Sequence, residues 1–330
     1  MKQFIISPND AGQRLDKFLQ KAAPQLPAAL LYKALRTKHI KRNKKRCEGS
    51  DRLATGDVID CWLDDALFEA AAPAWQHDFL RAGRQLEVLF ADAHVLLLDK
   101  PAGLLAHPDE NEYVDTLLGR VQRYLYEKGE YDPAREQAFA PALVNRIDRN
   151  TQGIVIAAKT AEALRVLNEK MKRRELCKFY LCAVHGVLPR DEKWHTLTHY
   201  LQKDSKRAQV RVFEAPRQGA KECRLKYRAL HNEGGNTLLE VELLTGRTHQ
   251  IRAQMAAVGH ALVGDGKYAP RVQYQNDGPK HQCLCAWRLR FCFEGQETPI
   301  SSLNGVEVFV KNVAFLRDCF PDFRLNKEIF

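Results

Sequence analysis

The residues best suited to chemistry in this sequence surround one aspartate. Asp148 lies between Arg146 and Arg149, and a short polar turn separates it from the apolar run 154–158. The β-branched residues of that run predict a buried strand, and Gly153 predicts a tight backbone entry into it. A carboxylate at the edge of a rigid strand, with cations on both sides, is suited to catalysis. Taken alone, these residues are explained as simply by a structural ion pair.

Three further segments place basic, aromatic and small residues at defined spacings. They read Lys100-Pro101-Ala102-Gly103 ending in His107, Lys178-Phe179-Tyr180 continuing to Gly186, and Thr245-Gly246-Arg247-Thr248-His249-Gln250-Ile251-Arg252, which is followed by Gly259 to Tyr268. Together with the Asp148 segment, and in this order, they resemble the RluA-type family of pseudouridine synthases. The family patterns are roughly KPxGxxxH, HRLDxxTSG, KxYxAxVxG and LxTGRTHQIR followed by GHxLVGDxxY. The resemblance covers about residues 85–300.

The resemblance implies an enzyme that isomerises uridine in RNA to pseudouridine without a cofactor or a metal. Glycoside hydrolysis uses two carboxylates, because one must protonate the leaving group and the other must act as nucleophile or activate water. An isomerisation keeps its leaving group in the site and consumes no water, so one carboxylate is enough. The resemblance identifies that carboxylate as Asp148. Two paths stay open, attack on the anomeric carbon and stabilisation of a glycal-forming route.

Two further catalytic residues follow from the same resemblance. Arg252 is expected to form a salt bridge with Asp148, because a nearby cation favours the charged form of a carboxylate. Arg247 is the competing partner for that salt bridge, and otherwise a phosphate contact. Tyr180 is expected to pack against the target base and to take part in proton removal, since its ring stacks on a pyrimidine while its hydroxyl stays polar. Arg252 is predicted to lie on a helix whose core face comprises Ile251, Met255 and Val258.

The remaining site residues are predicted to contact the RNA. The target uridine must leave its helix to be reached, and the resemblance assigns Arg146 to the space it vacates, where a planar guanidinium can stack. The other predicted RNA contacts, some of which could instead shape the site, are Arg149, Arg247, His249, Lys100 and His107. The sequence departs from the family pattern at Asn145 and Gln152. We expect these departures to affect how the loop is held or which RNA is accepted.

A dense basic cluster lies near the N-terminus and contains no acid within its sequence. We define the basic cluster as Lys33, Arg36, Lys38, Lys41, Arg42, Lys44, Lys45 and Arg46. Such a block repels itself and favours an anionic partner, which backbone phosphates supply. The surrounding segment resembles the alpha-L RNA-binding domain named after a small-subunit ribosomal protein. That family has a glycine in its hairpin turn, whereas this sequence has Lys41-Arg42-Asn43 there.

The chain is predicted to contain two domains and a linker. The expected boundaries are 1–68 for a small N-terminal α/β RNA-binding domain, 69–80 for the linker and 81–330 for the catalytic domain. Helices are predicted at 14–22, 28–38, 114–125 and 161–174, and strands at 86–90, 94–99, 223–229 and 237–243. Many strands with few long helices between them predict an α+β fold on a mixed, largely antiparallel sheet.

Composition agrees with an RNA-binding enzyme but does not identify one. The 330 residues carry a net charge of +10, which favours polyanions. Nine irregularly spaced cysteines are typical of reduced thiols, and the absence of an apolar run of membrane-spanning length predicts a cytoplasmic protein. Ribosomal RNA of the large subunit is the first expectation for the substrate and transfer RNA the second. The alternatives are a catalytically silent RNA-binding or ribosome-assembly factor and a metal-dependent nuclease, which would need clustered ligands that Asp148 lacks.

Overall fold

The chain divides into two compact units that are not contiguous in sequence. The computed structural model describes residues 1–68, 74–191, 193–204, 209–269, 279–295 and 297–325. The first unit comprises 1–85, 108–142 and 157–165, and the second comprises 86–107, 143–156 and 166–330. Part of the predicted linker, 69–73, lies outside the described residues, and Ala74–Arg81 form a 3₁₀ helix. The predicted domain boundaries stay a prediction.

The N-terminal part of the first unit is a small antiparallel sheet with two helices. Its elements are β1 (Lys2–Ile5), α1 (Leu15–Ala22), α2 (Ala28–Arg36), β2 (Ile40–Arg42), β3 (Lys45–Arg46) and β4 (Val58–Cys61), and the unit also contains α3 (Leu117–Glu127). The strands are ordered β1-β4-β2-β3. Apolar residues at helical spacing, Leu15, Phe18 and Leu19, are fully buried in its core. The predicted helix at 14–22 is confirmed, and α2 ends two residues before its predicted end.

The hairpin between β2 and β3 forms without the turn glycine. Asn43 and Lys44 both adopt left-handed backbone conformations, with φ of 50° and 64°, which suit a tight two-residue turn. The Asn43 side chain holds the turn, because its Nδ2 donates to Asp57 Oδ1 at 2.8 Å and its Oδ1 accepts from the Val58 amide at 2.8 Å. Asparagine tolerates this conformation better than most residues, and the side-chain bonds of Asn43 stabilise a turn in which Lys44 is also left-handed.

The other strands form one eleven-stranded sheet within the described ranges. Its strands are β5 (Glu87–Ala91), β6 (Val95–Lys100), β7 (Ala142–Leu143), β8 (Gln152–Ala158), β9 (Leu176–His185), β10 (His195–Asp204), β11 (Gln209–Phe213), β12 (Lys221–Glu233), β13 (Asn236–Leu243), β14 (Leu284–Phe291) and β15 (Glu307–Phe309). The main order is β11-β10-β12-β13-β9-β14-β8-β6-β5, with β15 beside β14 and β7 beside β8. The accompanying helices are α4 (Ala161–Lys172), α5 (Gln250–Ala257) and α6 (Leu316–Cys319).

This sheet confirms the predicted fold class. Strands β9 to β13 pair antiparallel, and β14 pairs parallel with β8. Helix α3 begins three residues later than predicted, because the Thr116 side chain accepts from the Gly119 amide and caps the helix there. Val258, which was predicted to be a core residue, is 37% exposed just after α5. None of the described helices is long or apolar enough to cross a membrane.

Gly153 allows β8 and β14 to approach each other closely. Its φ is +125°, and a Cβ at this position would lie 2.3 Å from the carbonyl oxygen of Ala286 on β14. No side chain fits there without moving the paired backbone. The sequence prediction that Gly153 marks a tight entry into the strand is confirmed, and the close contact with β14 is the added reason.

We predict that Gly153→Ala lowers the free energy of unfolding by about 3 kcal/mol or more, since both backbone strain and a backbone clash oppose it. Gly234→Ala is the matched control, because Gly234 also has positive φ (58°) but a Cβ added to it would meet nothing within 4 Å. That variant should lose only about 1 kcal/mol. Urea denaturation measures both, and equal losses would contradict the close-approach explanation.

Candidate active site

Asp148 lies in a tight loop between β7 and β8. The loop closes on itself, because the Thr151 amide donates to the Asp148 carbonyl at 3.1 Å. Asn145 anchors its other end to β8, where Oδ1 accepts from the Ile156 amide at 2.8 Å and Nδ2 donates to the Ile154 carbonyl at 3.3 Å. The carboxylate of Asp148 is 28% exposed. The loop that carries Asp148 is therefore held in place by hydrogen bonds, while the carboxylate stays accessible to solvent.

Lys100 is buried beside this loop and donates hydrogen bonds to its backbone. Its side chain is fully buried, and Nζ donates to the carbonyls of Pro101, Leu104 and Arg149 at 2.8, 2.7 and 2.9 Å. Burial lowers the pKa of Lys100 to about 7, against the opposing charges of Asp148 and Asp99. An amine enclosed by three carbonyls has no surface to offer a phosphate. It ties the segment after β6 to the Asp148 loop.

Arg252 on α5 forms the predicted salt bridge with Asp148. Its Nη1 lies 2.8 Å from Oδ2 of Asp148. The guanidinium is only 7% exposed. Burial alone would lower the pKa of Arg252, but hydrogen bonds and charges from Asp265 and Asp148 outweigh it and raise the pKa further. The predicted competitor, Arg247, is exposed and donates through Nε to the Glu222 carbonyl at 3.2 Å, so Arg252 is the partner of Asp148.

Asp265 holds Arg252 in position, although no role was predicted for it from the sequence. The Asp265 carboxylate is fully buried and accepts from Nε and Nη2 of Arg252 at 2.7 and 2.9 Å. Its Oδ1 also accepts from the amides of Lys267 and Tyr268 at 2.9 and 3.2 Å. Burial would raise the pKa of Asp265, but the arginine and these amides lower it overall. A carboxylate between two glycines directly after the apolar run 261–263 was the signal available in the sequence.

His249 belongs to the same cluster as Asp148 and Arg252. It caps α5 with a left-handed backbone (φ 51°), and its Nε2 lies 3.8 Å from Oδ2 of Asp148. Its Nδ1 lies 2.8 Å from the hydroxyl of Tyr268. Burial lowers the pKa of His249, although Asp148 opposes this effect, so the imidazole favours the neutral form. The ring lines the site beside the carboxylate.

Tyr180 reaches the site from the middle of β9. The strand pairs with β13 on one side and β14 on the other, and Tyr180 itself is 7% exposed. Burial raises the pKa of Tyr180 well above its usual value, and the charge of Asp148 adds to this effect. The hydroxyl therefore keeps its proton in the free protein, which makes the ring a packing surface and the hydroxyl a hydrogen-bond donor.

These side chains open onto a cavity of about 740 Å³, within the range of ligand-binding sites. Asp148, Tyr180, Arg252 and His249 line it. Cations also line it, and these are Arg146, Lys172, Arg174, Lys178, Lys203, Arg224 and Arg247. Part of the basic run at the end of α4, which the helix dipole alone could explain, thus contributes to the cavity. The arrangement places one carboxylate inside a site that attracts anions.

Other predicted site residues lie at the edge of this arrangement. Arg146 is exposed. Arg149 is exposed and donates through Nε to the Gly103 carbonyl at 3.0 Å. His107 is half-buried, and burial together with the charge of Arg146 lowers its pKa. Arg149 and His107 are not among the described residues that line the cavity.

The two departures from the family pattern hold the loop. Asn145 bonds to the β8 backbone as described above. Gln152 donates through Nε2 to Asp99 Oδ2 at 3.1 Å and to the Asn312 carbonyl at 2.8 Å, and its Oε1 accepts from the Ala314 amide at 3.0 Å. Both residues thus act on the scaffold around Asp148, and neither bonds to its carboxylate in the described structure.

In the first unit, the basic cluster is largely exposed, with one cation already paired. Arg42 forms an ion pair of 2.6 Å with the buried Asp57, so an acid distant in sequence neutralises one of the eight cations. Lys41 and Arg42 are partly buried, and the other six cations are exposed. In the described part of the chain, no group of three or more histidine, cysteine, aspartate or glutamate side chains is arranged to hold a metal ion.

Comparisons with known proteins point to one family of enzymes. Residues 94–257 match the family model described as RNA pseudouridylate synthase. An uncharacterized RNA pseudouridine synthase of Mycoplasma genitalium is 30% identical over 294 residues, which cover 88% of each chain. The ribosomal large subunit pseudouridine synthase C of Vibrio cholerae is 31% identical over 272 residues, covering 82% of this chain and 81% of that protein.

Solved structures support the fold. The human RNA pseudouridylate synthase domain containing 1 aligns with a TM-score of 0.55 and 20% identity, covering 71% of this chain and 86% of that chain. The human RNA pseudouridylate synthase domain containing 4 aligns with a TM-score of 0.53 and 16% identity, covering 73% and 92%. At these identities the likeness concerns the architecture of the mixed sheet.

We predict that Asp265→Asn lowers the free energy of unfolding by about 3 kcal/mol. Within the described residues, the variant leaves Asp148 as the one carboxylate that balances the charge of the buried Arg252 guanidinium. The control is Glu169→Gln, which breaks the exposed ion pair of Glu169 with Arg173 (3.0 Å) and should cost less than about 1 kcal/mol. Thermal or urea denaturation at neutral pH distinguishes them. A loss for Asp265→Asn no larger than that of the control would contradict the anchoring role.

Proposed function

Because this chain belongs to the RluA-type family of RNA pseudouridine synthases, we propose that it isomerises uridines of large-subunit ribosomal RNA with Asp148 as its single catalytic carboxylate. The observation that carries the proposal is the contact between Asp148 and the buried Arg252, 2.8 Å apart at the wall of a cation-lined cavity. Arg252 contacts Oδ2, and no described side chain or amide donates a hydrogen bond to Oδ1. Oδ1 is therefore the oxygen we assign to the ribose.

The reaction breaks one bond and forms one. The bond from the anomeric carbon to nitrogen 1 of uracil breaks, the base rotates, and a bond to carbon 5 forms. The hydrogen on carbon 5 then leaves as a proton and nitrogen 1 gains one, so no water, oxidant or metal is needed for the balance. Asp148 stabilises the electron-poor sugar in this sequence, either by direct attack or along the glycal route.

The neighbours of Asp148 position the base and the charges. Tyr180, which is buried and protonated, supplies a ring on which uracil packs and a hydroxyl that donates to it. Arg146 is exposed at the cavity wall, where its guanidinium can enter the stack left by the extruded base. Burial lowers the pKa of His249 and favours its neutral form, and Arg252 is the cation hydrogen-bonded to the carboxylate.

The substrate assignment rests on relatives and on charge. Two relatives are named for the ribosomal large subunit. One is the Vibrio cholerae synthase C described above, and the other is the Nitrosomonas europaea synthase D, which is 30% identical to this chain over 294 residues. The basic cluster adds an exposed cationic surface of the kind that binds RNA backbones. We propose that the N-terminal segment is an alpha-L RNA-binding domain. We also propose that the enzyme acts in the cytoplasm. Transfer RNA is the second candidate.

A catalytically silent assembly factor is the rival function. It would need RNA-binding cations but no charged pair kept buried beside a pocket. Asp148, Tyr180 and Arg252 converge within one cavity, and Asp265 fixes the arginine through two hydrogen bonds. Burying such charges is costly unless each is compensated, so this arrangement favours the enzyme.

We predict that Asp148→Asn loses turnover by about a thousand-fold or more while its affinity for RNA stays within a few-fold of wild type. The assay is tritium release from RNA labelled at carbon 5 of uridine, taken from cells that lack the gene. Asp191→Asn is the control, since Asp191 is a surface carboxylate paired with His195 (3.0 Å). Turnover retained by Asp148→Asn would remove Asp148 from the mechanism, and no release by RNA-bound wild type would favour the silent factor.

The same assay distinguishes the substrates. Labelled ribosomal and transfer RNA are supplied separately, and we expect release from the ribosomal RNA alone. Release only from the transfer RNA fraction would overturn the substrate assignment and leave the chemistry intact.

We predict that the triple variant Lys44→Gln, Lys45→Gln and Arg46→Gln weakens RNA binding and flattens its dependence on salt. The slope of log affinity against log salt should fall by about two to three, because each phosphate contact contributes about 0.7 to 0.9. The control neutralises Lys2, Lys17 and Lys21, three exposed lysines of the same unit outside the basic cluster. Equal slopes for wild type and the triple variant would mean that the basic cluster is not the RNA anchor.

A further inference from the structure

The small sheet of the first unit has a solvent-facing side that carries an aromatic residue among cations. In β4, Ile59 and Cys61 are fully buried, so the alternation of the strand places Asp60 and Trp62 on the opposite side. The strand register sets Lys41 of β2 opposite Asp60, and Arg46 of β3 opposite Lys41. We call this side the outer face.

Trp62 is held at the end of the outer face but is not buried by it. Its amide donates to the His39 carbonyl at 2.8 Å, which extends the pairing of β4 with β2 by one residue. Its side chain is 38% exposed. Nζ of Lys41 lies 4.8 Å from the ring centroid. The backbone is thus fixed, while a large aromatic surface stays in contact with solvent.

We propose that Trp62 is a stacking platform for an unpaired nucleobase of the RNA that the basic cluster binds. The inference rests on the proposed function, because it takes RNA as the substrate. Bases stack on aromatic rings with little dependence on their identity, provided that they are not already paired. Lys41, close to the ring of Trp62, is placed to neutralise the phosphate next to such a base.

The charges around Trp62 favour RNA over a protein partner. Lys38, Lys44, Lys45 and Arg46 are exposed in the same hairpin region. Three acids lie near Trp62 in the sequence. Asp60 is 5% exposed and accepts from Nε2 of Gln3 at 2.8 Å, so it presents little charge to solvent. Asp64 and Asp65 are exposed, but Asp65 is paired with the N-terminal amine at 2.8 Å and Asp64 accepts from the Ala66 amide at 3.1 Å. Ile5 of β1, which lies opposite Val58 in the strand register, is also exposed on this face (60%). The cations that flank the Trp62 ring match a base with its phosphates better than they match an apolar protein surface.

Trp194 provides a matched comparison within the chain. It is 37% exposed and lies under a cation, with the guanidinium carbon of Arg228 at 5.1 Å from its ring. It differs in that it lies outside the basic cluster, in the second unit. Trp194→Leu therefore controls for the loss of an exposed tryptophan that contacts a cation.

The test measures the affinity of the full-length protein for two RNA probes by fluorescence anisotropy. One probe is a short hairpin with an unpaired loop, and the other is a blunt duplex with the same stem. We expect Trp62→Leu to bind the hairpin about ten-fold more weakly than wild type. Its affinity for the duplex and its salt slope should be unchanged. Trp62→Tyr should retain most of the hairpin affinity, and Trp194→Leu all of it.

Lys41→Gln separates the phosphate contact of Lys41 from the stacking on Trp62, since loss of one phosphate contact should lower the salt slope by about one. Unchanged hairpin affinity in Trp62→Leu, an equal loss on both probes, or a Tyr variant as weak as the Leu variant would each overturn the platform. Melting temperatures confirm that the variants are folded. A failure of the proposed function looks different, because wild-type protein would then bind neither probe or release no tritium from labelled RNA.

Discussion

The site depends on a buried chain of charges in which Asp265 binds Arg252 and Arg252 binds Asp148. Each guanidinium nitrogen of Arg252 donates to a carboxylate at 2.7 to 2.9 Å. Asp265 is fully buried and Asp148 is not, so the two carboxylates do different work. The buried one fixes the direction of the arginine, and the exposed one keeps an oxygen available to a substrate. Without the first contact, the second has no fixed geometry.

Segments that are distant in sequence meet at this site because hydrogen bonds to backbone carbonyls and amides hold them together. The Arg149 carbonyl accepts from both Nζ of Lys100 and the Gly103 amide. The turn before α5 is held by Gln250, whose Oε1 accepts from the Thr245 hydroxyl and the Arg247 amide at 2.9 and 3.0 Å. Lys100 is the last residue of β6 and Gln250 is the first residue of α5, so these bonds connect the loops to regular elements. The geometry of the site is therefore supported by a strand and a helix as well as by the loops themselves.

Local patterns in the sequence predicted the elements well, and long-range contacts were where prediction failed. Period-two alternation and glycine at 153 identified strands and a tight entry, since both depend on neighbouring residues. Lys100 was singled out through the family resemblance, as an RNA contact or as a residue that shapes the site. Lysine is rarely fully buried, and only the three carbonyls around its amine explain the burial. Asp265 escaped notice because its partner lies 13 residues away on a separate element. The salt bridge from Asp148 to Arg252 spans 104 residues and was found through family resemblance, not through spacing.

The most direct test of the role of Asp148 measures the product itself. Unmodified large-subunit ribosomal RNA is incubated with the purified protein, digested to nucleosides and analysed by liquid chromatography with mass spectrometry, where pseudouridine has the mass of uridine but a different retention. We predict pseudouridine from the wild type, accompanied by an equal loss of uridine, and none from Asp148→Ala. No pseudouridine from wild-type protein that binds the same RNA, or pseudouridine formed by both proteins, would contradict the assignment of Asp148 as the carboxylate that drives the reaction.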